Sequence, residues 1–512
     1  MTDEHPDSST GSAEAGDSPG GVMATWTQVT ARWFLRARTG VALTLQDTSM
    51  RFDSPRRLRQ VAVAAAVCYL IIGLGAYLWS VIRPAGIVGR STIVMANGSG
   101  AKWVRVNGKL SPALNLSSAW LIAGSNQPVA SVDRASIDAE PHGPLIGIAG
   151  APEDMPVTNG AAVQVAVCQR VPVNASSPRP VVTLINGGVY TGVRNDELGS
   201  GQAAVGILYG QTYLIWNGHK AVIDPNDPIV LSSLGIDRAL TLAAPPLTAA
   251  LGNAIPSALP IGAPRIPEAG VPSPFAVPNP GTPIGTVVRS ELPGQGEQFY
   301  VVLREGKQQI PETVAAMIRQ ENSFGQGTAL SVGPDLLTRI PTVSMLNIGH
   351  YPPKPLKVVD FHEKPVTCWE WERGRTATSA VSRVLSGAEL PVSAAMDDKV
   401  VKVAGSGGDP AVADQVLMSP DAANWVAATS SAPQASSRET AWWISDRGTK
   451  FGVGSSDQER SALGLTGEPL AMPQDIIRLF PRGLPPNTAL TRADALVIHD
   501  SIPTDPAQKA LR

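Results

Sequence analysis

The sequence predicts an α+β, β-rich chain: a single N-terminal transmembrane helix followed by an extended exported body of four short ββα-like repeats and a central β domain. Three observations predict it. A run of 22 residues near the N-terminus carries no charge. Four separated stretches share one aromatic–strand–glycine-turn–strand pattern. Finally, 49 Gly and 45 Pro beside only 16% charged and 5% aromatic residues suit short strands and turns better than a helix bundle. The 43% hydrophobic content excludes wholesale disorder, and a net charge of −2 gives no bias towards nucleic acid.

Residues 1–22 are rich in Ser, Gly, Asp and Glu and read as a disordered cytoplasmic tail. Residues 23–60 read as a cytoplasmic, basic amphipathic helix. Trp33, Ala37, Val41 and Leu45 recur at i+4 as an apolar stripe, with Arg32, Arg36 and Arg38 on the polar side. Such a helix suits the anionic inner leaflet and equally a partner's cytoplasmic domain; the residues do not choose.

Residues 61–82, VAVAAAVCYLIIGLGAYLWSVI, would span about 33 Å as a helix, against a hydrocarbon core of about 30 Å. Tyr77 and Trp79 fall near the distal interface. Arg51, Arg56, Arg57 and Arg59 crowd the N-terminal side, whereas Arg83 and Arg90 follow the span, so the N-terminus is expected in the cytoplasm. A cleaved signal would have a shorter apolar run, about 7–15 residues, and a small-residue cleavage site. Here Arg83-Pro84 follows directly.

The body then divides into repeat 1 (83–140), a strand segment (141–205), repeat 2 (206–250), a Pro-rich connector (251–285), repeat 3 (286–340), a central β domain (341–436), repeat 4 (437–500) and a tail (501–512). The repeats read WVRVNGK, YLIWNGH, YVVLREGK and WWISDRGTK, with turn glycines at Gly108, Gly218, Gly306 and Gly448. Asn107-Gly108 and Asn217-Gly218 are type I′ hairpin signals. Pro311 suits a first helical position, and Ser456 with Glu459 a capping box. The uneven spacing argues against a solenoid. Nine prolines in residues 254–283 predict an extended connector lying along the surface. PLKVVDF and DKVVKVAG are the clearest strands of the central domain.

Cys68 lies in the span as a packing residue. Cys168 and Cys368 both lie in the exported part, where thiols are commonly paired. A Cys168–Cys368 disulfide is therefore expected, closing a long loop and contributing roughly 4–5 kcal/mol in the chain-entropy model.

Catalytic patterns are missing from the sequence. Leu110 and Gln308 follow the pairs Gly108-Lys109 and Gly306-Lys307 where a phosphate loop needs Ser or Thr. Ser406 lacks the context of a nucleophile elbow. His362-Glu363 is followed by Pro365 and Val366, not by a second ligand on a helix. No CxxC supports metal binding by Cys168 or Cys368. Trp369, Trp371, Trp442 and Trp443 read as packing residues rather than a binding patch. The expectation is no catalytic, cofactor or metal residue, and no enzyme.

GAKWVRVNGKLSPALNLSSAWLIAG (100–124), HGPLIGIAGAP (142–152), VTCWEWER (366–373) and LTRADALVIHD (490–500) closely resemble the EccB family, membrane-core subunits of mycobacterial type VII (ESX) secretion systems. The order of elements is similar too. The resemblance implies an assembly subunit in the inner membrane with its body in the periplasm. It also implies hexameric complexes with EccC, EccD, EccE, the mycosin protease and other copies of itself, without nucleic acid. It implies a periplasmic disulfide at Cys168 and Cys368. Family members are often labelled ATPase; ATP would be a cofactor only if that label held. A nucleotide hydrolase and a cell-wall-binding envelope module are the rival readings.

Overall fold

The computed structural model describes residues 25–45, 54–82, 88–158, 160–172, 179–292, 294, 296–404 and 411–499. The two expected tails and Ser406 lie outside them. The chain forms two compact units, 1–85 and 86–512.

The first unit holds α1 (Trp26–Leu45) and α2 (Ser54–Ile82). Pro55 stands in the first turn of α2, where its missing N–H leaves no hydrogen bond unmade. The basic helix expected over 23–60 is therefore shorter, and residues 54–60 open the apolar helix instead. Within α2, Leu58–Trp79 is the one helix among the described residues long and apolar enough to cross a membrane. Its Val, Leu, Ile, Tyr and Trp side chains are exposed on every face. A helix apolar all round suits lipid.

The second unit begins with β1 (Ile93–Ala96), β2 (Lys102–Val106), β3 (Lys109–Ala113), α3 (Leu116–Ala123), β4 (Ala130–Val132) and α4 (Arg134–Asp138). There follow β5 (Ala162–Arg170), β6 (Val181–Asn186) and β7 (Asn195–Glu197). Next come β8 (Gln202–Leu208), β9 (Gln211–Trp216), β10 (His219–Ile223), α5 (Pro228–Leu234), α6 (Arg238–Leu242) and α7 (Ala249–Ala254). The third group is β11 (Val287–Leu292), β12 (Gly296–Val302), β13 (Lys307–Ile310), α8 (Glu312–Glu321), β14 (Leu330–Ser331) and α9 (Pro334–Thr338). After it run β15 (Lys357–Val358), β16 (Val366–Gly374), β17 (Val381–Gly387), β18 (Val401–Lys402) and β19 (Gln415–Met418). The last group is β20 (Trp425–Thr429), β21 (Ala441–Ile444), β22 (Lys450–Gly452), α10 (Asp457–Ala462), β23 (Leu470–Pro473), α11 (Gln474–Leu479) and α12 (Arg492–Ala495).

The fold is β-rich, with one apolar helix in the first unit and several mixed sheets in the second. Four small sheets have orders β3-β2-β1-β4, β10-β9-β8-β15, β13-β12-β11-β14 and β22-β21-β20-β23. In each, three strands run as an antiparallel meander and a fourth joins the first in parallel. Each has one leading strand more than a ββα pattern, because the recurring aromatic lies in the second strand, not the first. Gly108, Gly218, Gly306 and Gly448 stand between second and third strands. Asn107 (φ 49°), Gly108 (φ 80°), Asn217 (φ 47°) and Gly218 (φ 77°) take the positive φ that a type I′ turn demands.

The fifth sheet, β18-β19-β6-β5-β16-β17-β7, has seven strands. It corrects the expected boundaries. The strand segment carrying Cys168 and the later strands carrying Cys368 form one sheet, not two regions. Of the strands expected in 341–436, DKVVKVAG supplies β18 of this sheet, whereas Lys357–Val358 of PLKVVDF pairs with β8 of the second small sheet; Trp425–Thr429, within the same bounds, opens the fourth. Chain-distant pairing of this kind depends on which face is buried, and local pattern does not carry that.

Three large cores join these parts. One lies under the central sheet and the second and fourth small sheets; a second joins the second and third; a third joins the first and fourth. The connector is not a surface strap: Ile261, Val277 and Ile284 are buried, the first two within hydrophobic cores. A turn over 267–270 and an antiparallel Pro272–Pro283 bridge fold the segment back on itself. Pro311 is the N-cap of α8 rather than its first residue. Ser456 caps α10 without a side-chain bond, and Glu459 accepts from Arg492 N instead, so no capping box forms.

Candidate functional site

The period-two pleat of β16 sends Trp369 and Trp371 to one face of the central sheet and Cys368 and Glu370 to the other. Both tryptophans are fully buried in the largest core, and Trp369 Nε1 donates to Gly218 O at 3.1 Å, tying the second small sheet's turn to the central sheet. Trp443 is buried and donates to Pro156 O; Trp442 is half-buried.

On the opposite face Cys168 and Cys368 are direct cross-strand partners, 4.0 Å apart at Cα and joined as a disulfide. Ala166, Ile185, Val366, Leu385, Val392 and Leu417 surround the sulfurs. Two residues along the same face, Glu370 is a buried carboxylate. It accepts from Gln164 Nε2 at 2.8 Å and Arg383 Nη1 at 3.2 Å. Arg383 also reaches Glu372 at 3.2 Å and Glu197 at 3.7 Å. Burial works to lower the Arg383 guanidinium, but the carboxylates of Glu370 and Glu372 outweigh it and hold it above its ordinary value. The result is a rigid sheet fixed by one covalent and one ionic cross-tie. Sequence reading missed Glu370; its signal was a lone acid alternating with tryptophans in VTCWEWER.

In the first unit, Trp33 and Phe34 are exposed on α1, and the Arg38 guanidinium lies 5.1 Å from the Phe34 ring. Ala37 shares their helix; Val41 and Leu45 lie on it too, their side chains outside the description. Arg56, Arg57 and Arg59 occupy the first turns of α2; Arg59 is exposed, and the other two side chains are likewise outside the description. Cys68 is exposed on α2, unbonded to the other cysteines.

Gly108-Lys109 and Gly306-Lys307 lie where hairpins enter third strands, not ahead of a helix. His362 is exposed in a turn against Phe361. Among the described residues no three His, Cys, Asp or Glu side chains gather as a metal-binding group.

These features define a class: a single apolar helix carrying a large, cross-tied, multi-sheet body. The family model described as "Type VII secretion system ESX-1, transport TM domain B" matches residues 22–504, and the chain belongs to this EccB family. It is 38% identical over 495 residues to the ESX-5 secretion system ATPase EccB5 of Mycobacterium tuberculosis (strain ATCC 25618 / H37Rv), covering 96% of this chain and 97% of that protein. The ESX-3 secretion system ATPase EccB3 of Mycolicibacterium smegmatis is 33% identical, covering 96% and 94%. Among solved structures, a chain of an intact ESX-5 inner membrane complex matches at TM-score 0.73 and 37% identity, over 96% of this chain and 98% of that one. An EccB3 dimer from the ESX-3 core complex matches at TM-score 0.69 and 31% identity, over 80% and 100%.

Proposed function

We propose that this chain is an assembly subunit of the inner-membrane core of an ESX-type secretion system, organising the periplasmic side of that complex. The observation that carries the proposal is the shared fold, over 96% of this chain, with a subunit of the intact ESX-5 inner membrane complex. One helix cannot line a channel, whereas repeated copies can set such helices around a common axis. A rigid body cross-tied by Cys168–Cys368 suits the spacing of protomers.

The arginine excess before α2 supports a cytoplasmic N-terminus and a periplasmic body. In that orientation Trp33, Ala37, Val41 and Leu45 of α1 are a docking stripe for neighbouring subunits, with EccC, EccD, EccE and mycosin as the partners. We read the four small sheets as copies of one module. The relatives' names include the word ATPase; absence of a phosphate loop from the sequence supports a non-enzymatic subunit. Blue-native electrophoresis of membranes, with mass spectrometry of the bands, tests the assembly role. Removing residues 25–45 is expected to release the chain from a large complex, and an undiminished complex would refute the docking role. ATP turnover by purified full-length chain, abolished by one substitution in it, would overturn the non-enzymatic reading.

A further inference from the structure

The four small sheets share more than strand order. In each, the third strand lies at an edge, and after a short helix the chain returns parallel to it. Leu110, Lys220, Lys307 and Lys450 donate their N–H to Pro141, Pro256, Pro341 and Pro481 O at 2.8, 2.9, 2.8 and 2.8 Å. Their own carbonyls accept from Gly143, Ala258, Val343 and Gly483 N. The returning segment thus covers backbone groups that an edge strand would otherwise expose.

Two residues further along the third strand, one sheet departs from the others. The carbonyls of Pro112, Val222 and Gly452 face outward again, because pairing alternates along an antiparallel strand. They accept from Ile146, Ile261 and Leu490 N at 3.0, 2.9 and 2.7 Å. Each donor is a branched aliphatic residue buried in a core. Gln309 holds that place in the third sheet, and its carbonyl receives an N–H from none of the described residues.

The neighbouring residue gives the reason. Gln308 is buried, and its side chain takes the partner that the strand backbone takes elsewhere. Its Oε1 accepts from Met345 and Leu346 N, both at 2.8 Å, and its Nε2 donates to Leu346 O at 2.8 Å. Leu346 follows Val343 by three residues, as Ile146 follows Gly143 and Ile261 follows Ala258. Its N–H is therefore bound to a side chain and does not reach Gln309 O. The other sheets have Ser111, Ala221 and Phe451 at this position, and none of these carries an amide side chain. A cleft of about 580 Å³ lies here, lined by Gln308, Gln309 and residues 342–349. No charged side chain lines it; Val343, Met345 and Ile348 give it apolar surface, and Met345 is 45% exposed.

We propose that this open edge is a peptide-binding site, where an extended, uncharged segment of another polypeptide adds parallel to β13 and a branched aliphatic residue of it donates its N–H to Gln309 O. In strand addition of this kind main-chain bonds provide affinity and side-chain pockets provide selectivity. The three other sheets define the occupant, since in each an aliphatic residue's amide fills the place left open here. The uncharged lining disfavours an acidic or basic segment, whose charge would lose water without gaining a counter-ion. The site goes beyond the assembly role proposed above and does not depend on it.

The probe is a labelled peptide with the sequence of residues 144–150, PLIGIAG, blocked at both ends. It is added to full-length protein in nanodiscs and read by fluorescence anisotropy against empty nanodiscs. Saturable binding is expected. Methylating the nitrogen of the residue that corresponds to Ile146 removes the donor and should weaken binding about three- to tenfold. Met345→Lys places an ammonium in the cleft and should weaken binding about tenfold or more while leaving thermal unfolding unchanged. Gln308→Ser should let Leu346 close on Gln309, as Ile146 closes on Pro112, and abolish binding. A diazirine on the aliphatic residue should crosslink to residues 308–310 or 342–349. Absence of saturable binding would overturn the proposal, as would equal binding of the methylated peptide or crosslinks confined to other parts of the chain. Binding that survives both substitutions would overturn it too. So would crosslinks from photo-methionine at position 345 to a second copy without peptide, which would give the edge to that copy.

Discussion

The first small sheet closes within residues 93–132, its first three strands in unbroken succession, whereas the central sheet aligns Cys168 with Cys368, 200 residues away. The first uses tight turns such as Asn107-Gly108; the second uses burial. Both faces of β5 and β16 are covered, one by the tryptophan core and one by the disulfide cluster. Local sheets are specified by turn chemistry and cost little loop entropy. A long-range sheet must be held by contacts made only after the chain has collapsed. Damage to the central sheet should therefore cost more than damage to a small-sheet turn.

Trp369→Ala should give the largest effect. It empties a fully buried site and removes the bond to Gly218 O, for a loss of about 3–5 kcal/mol. Chemical denaturation of the full chain measures it, and a loss under about 1 kcal/mol would dissolve the contrast. Cys168→Ser with Cys368→Ser should cost about 2–5 kcal/mol by the same measurement. A null effect there would mean that the seven-strand register alone holds the sheet.

Two glycines sharpen the comparison further. Gly108 and Gly218 occupy the same turn position at φ 80° and 77°. A Cβ on Gly108 meets nothing, so Gly108→Ala should cost only the backbone term, about 1–2 kcal/mol. A Cβ on Gly218 would stand 2.9 Å from Ser382 O of β17, so Gly218→Ala should cost more. Equal effects would show that the second turn does not rest on the central sheet.

The last effect is graded with pH. Burial, with Arg482 and Arg478 adding to it, lowers Lys450 from 10.5 to about 7. Between those values the unfolded chain holds a proton that the folded chain has released. The contribution of Lys450 to stability therefore rises from about pH 7 towards 10.5, by at most about 1.4 kcal/mol per pH unit. Below pH 7 the full cost of a buried ammonium remains. Relative to wild type, Lys450→Met should be most favourable at pH 7 and less so at pH 9.5. An unchanging difference would contradict this.

Much was legible along the chain because the relevant physics is local. The uncharged run predicts the apolar helix, and positive φ at Asn107 and Asn217 follows from Asn-Gly itself. The family could be read from four contiguous strings. Of the buried lysines only Lys307 stood out in the sequence, in a Gly-Lys pair that failed as a phosphate loop; the carbonyls its Nζ meets, those of Leu337 and Ile340, come 30 and 33 residues later. Glu370 looked like any acid until Arg383 was placed beside it.

The sequence by itself determined the apolar helix, the hairpin turns and the family, since each depends on neighbours within one element or on strings of residues in order. Only the tertiary structure decided that Lys357–Val358 completes the second small sheet, that the Pro-rich segment feeds the cores, and that Arg383 meets Glu370. Those outcomes depend on which surfaces remain unburied once the strands have formed, and that is a property of the whole chain.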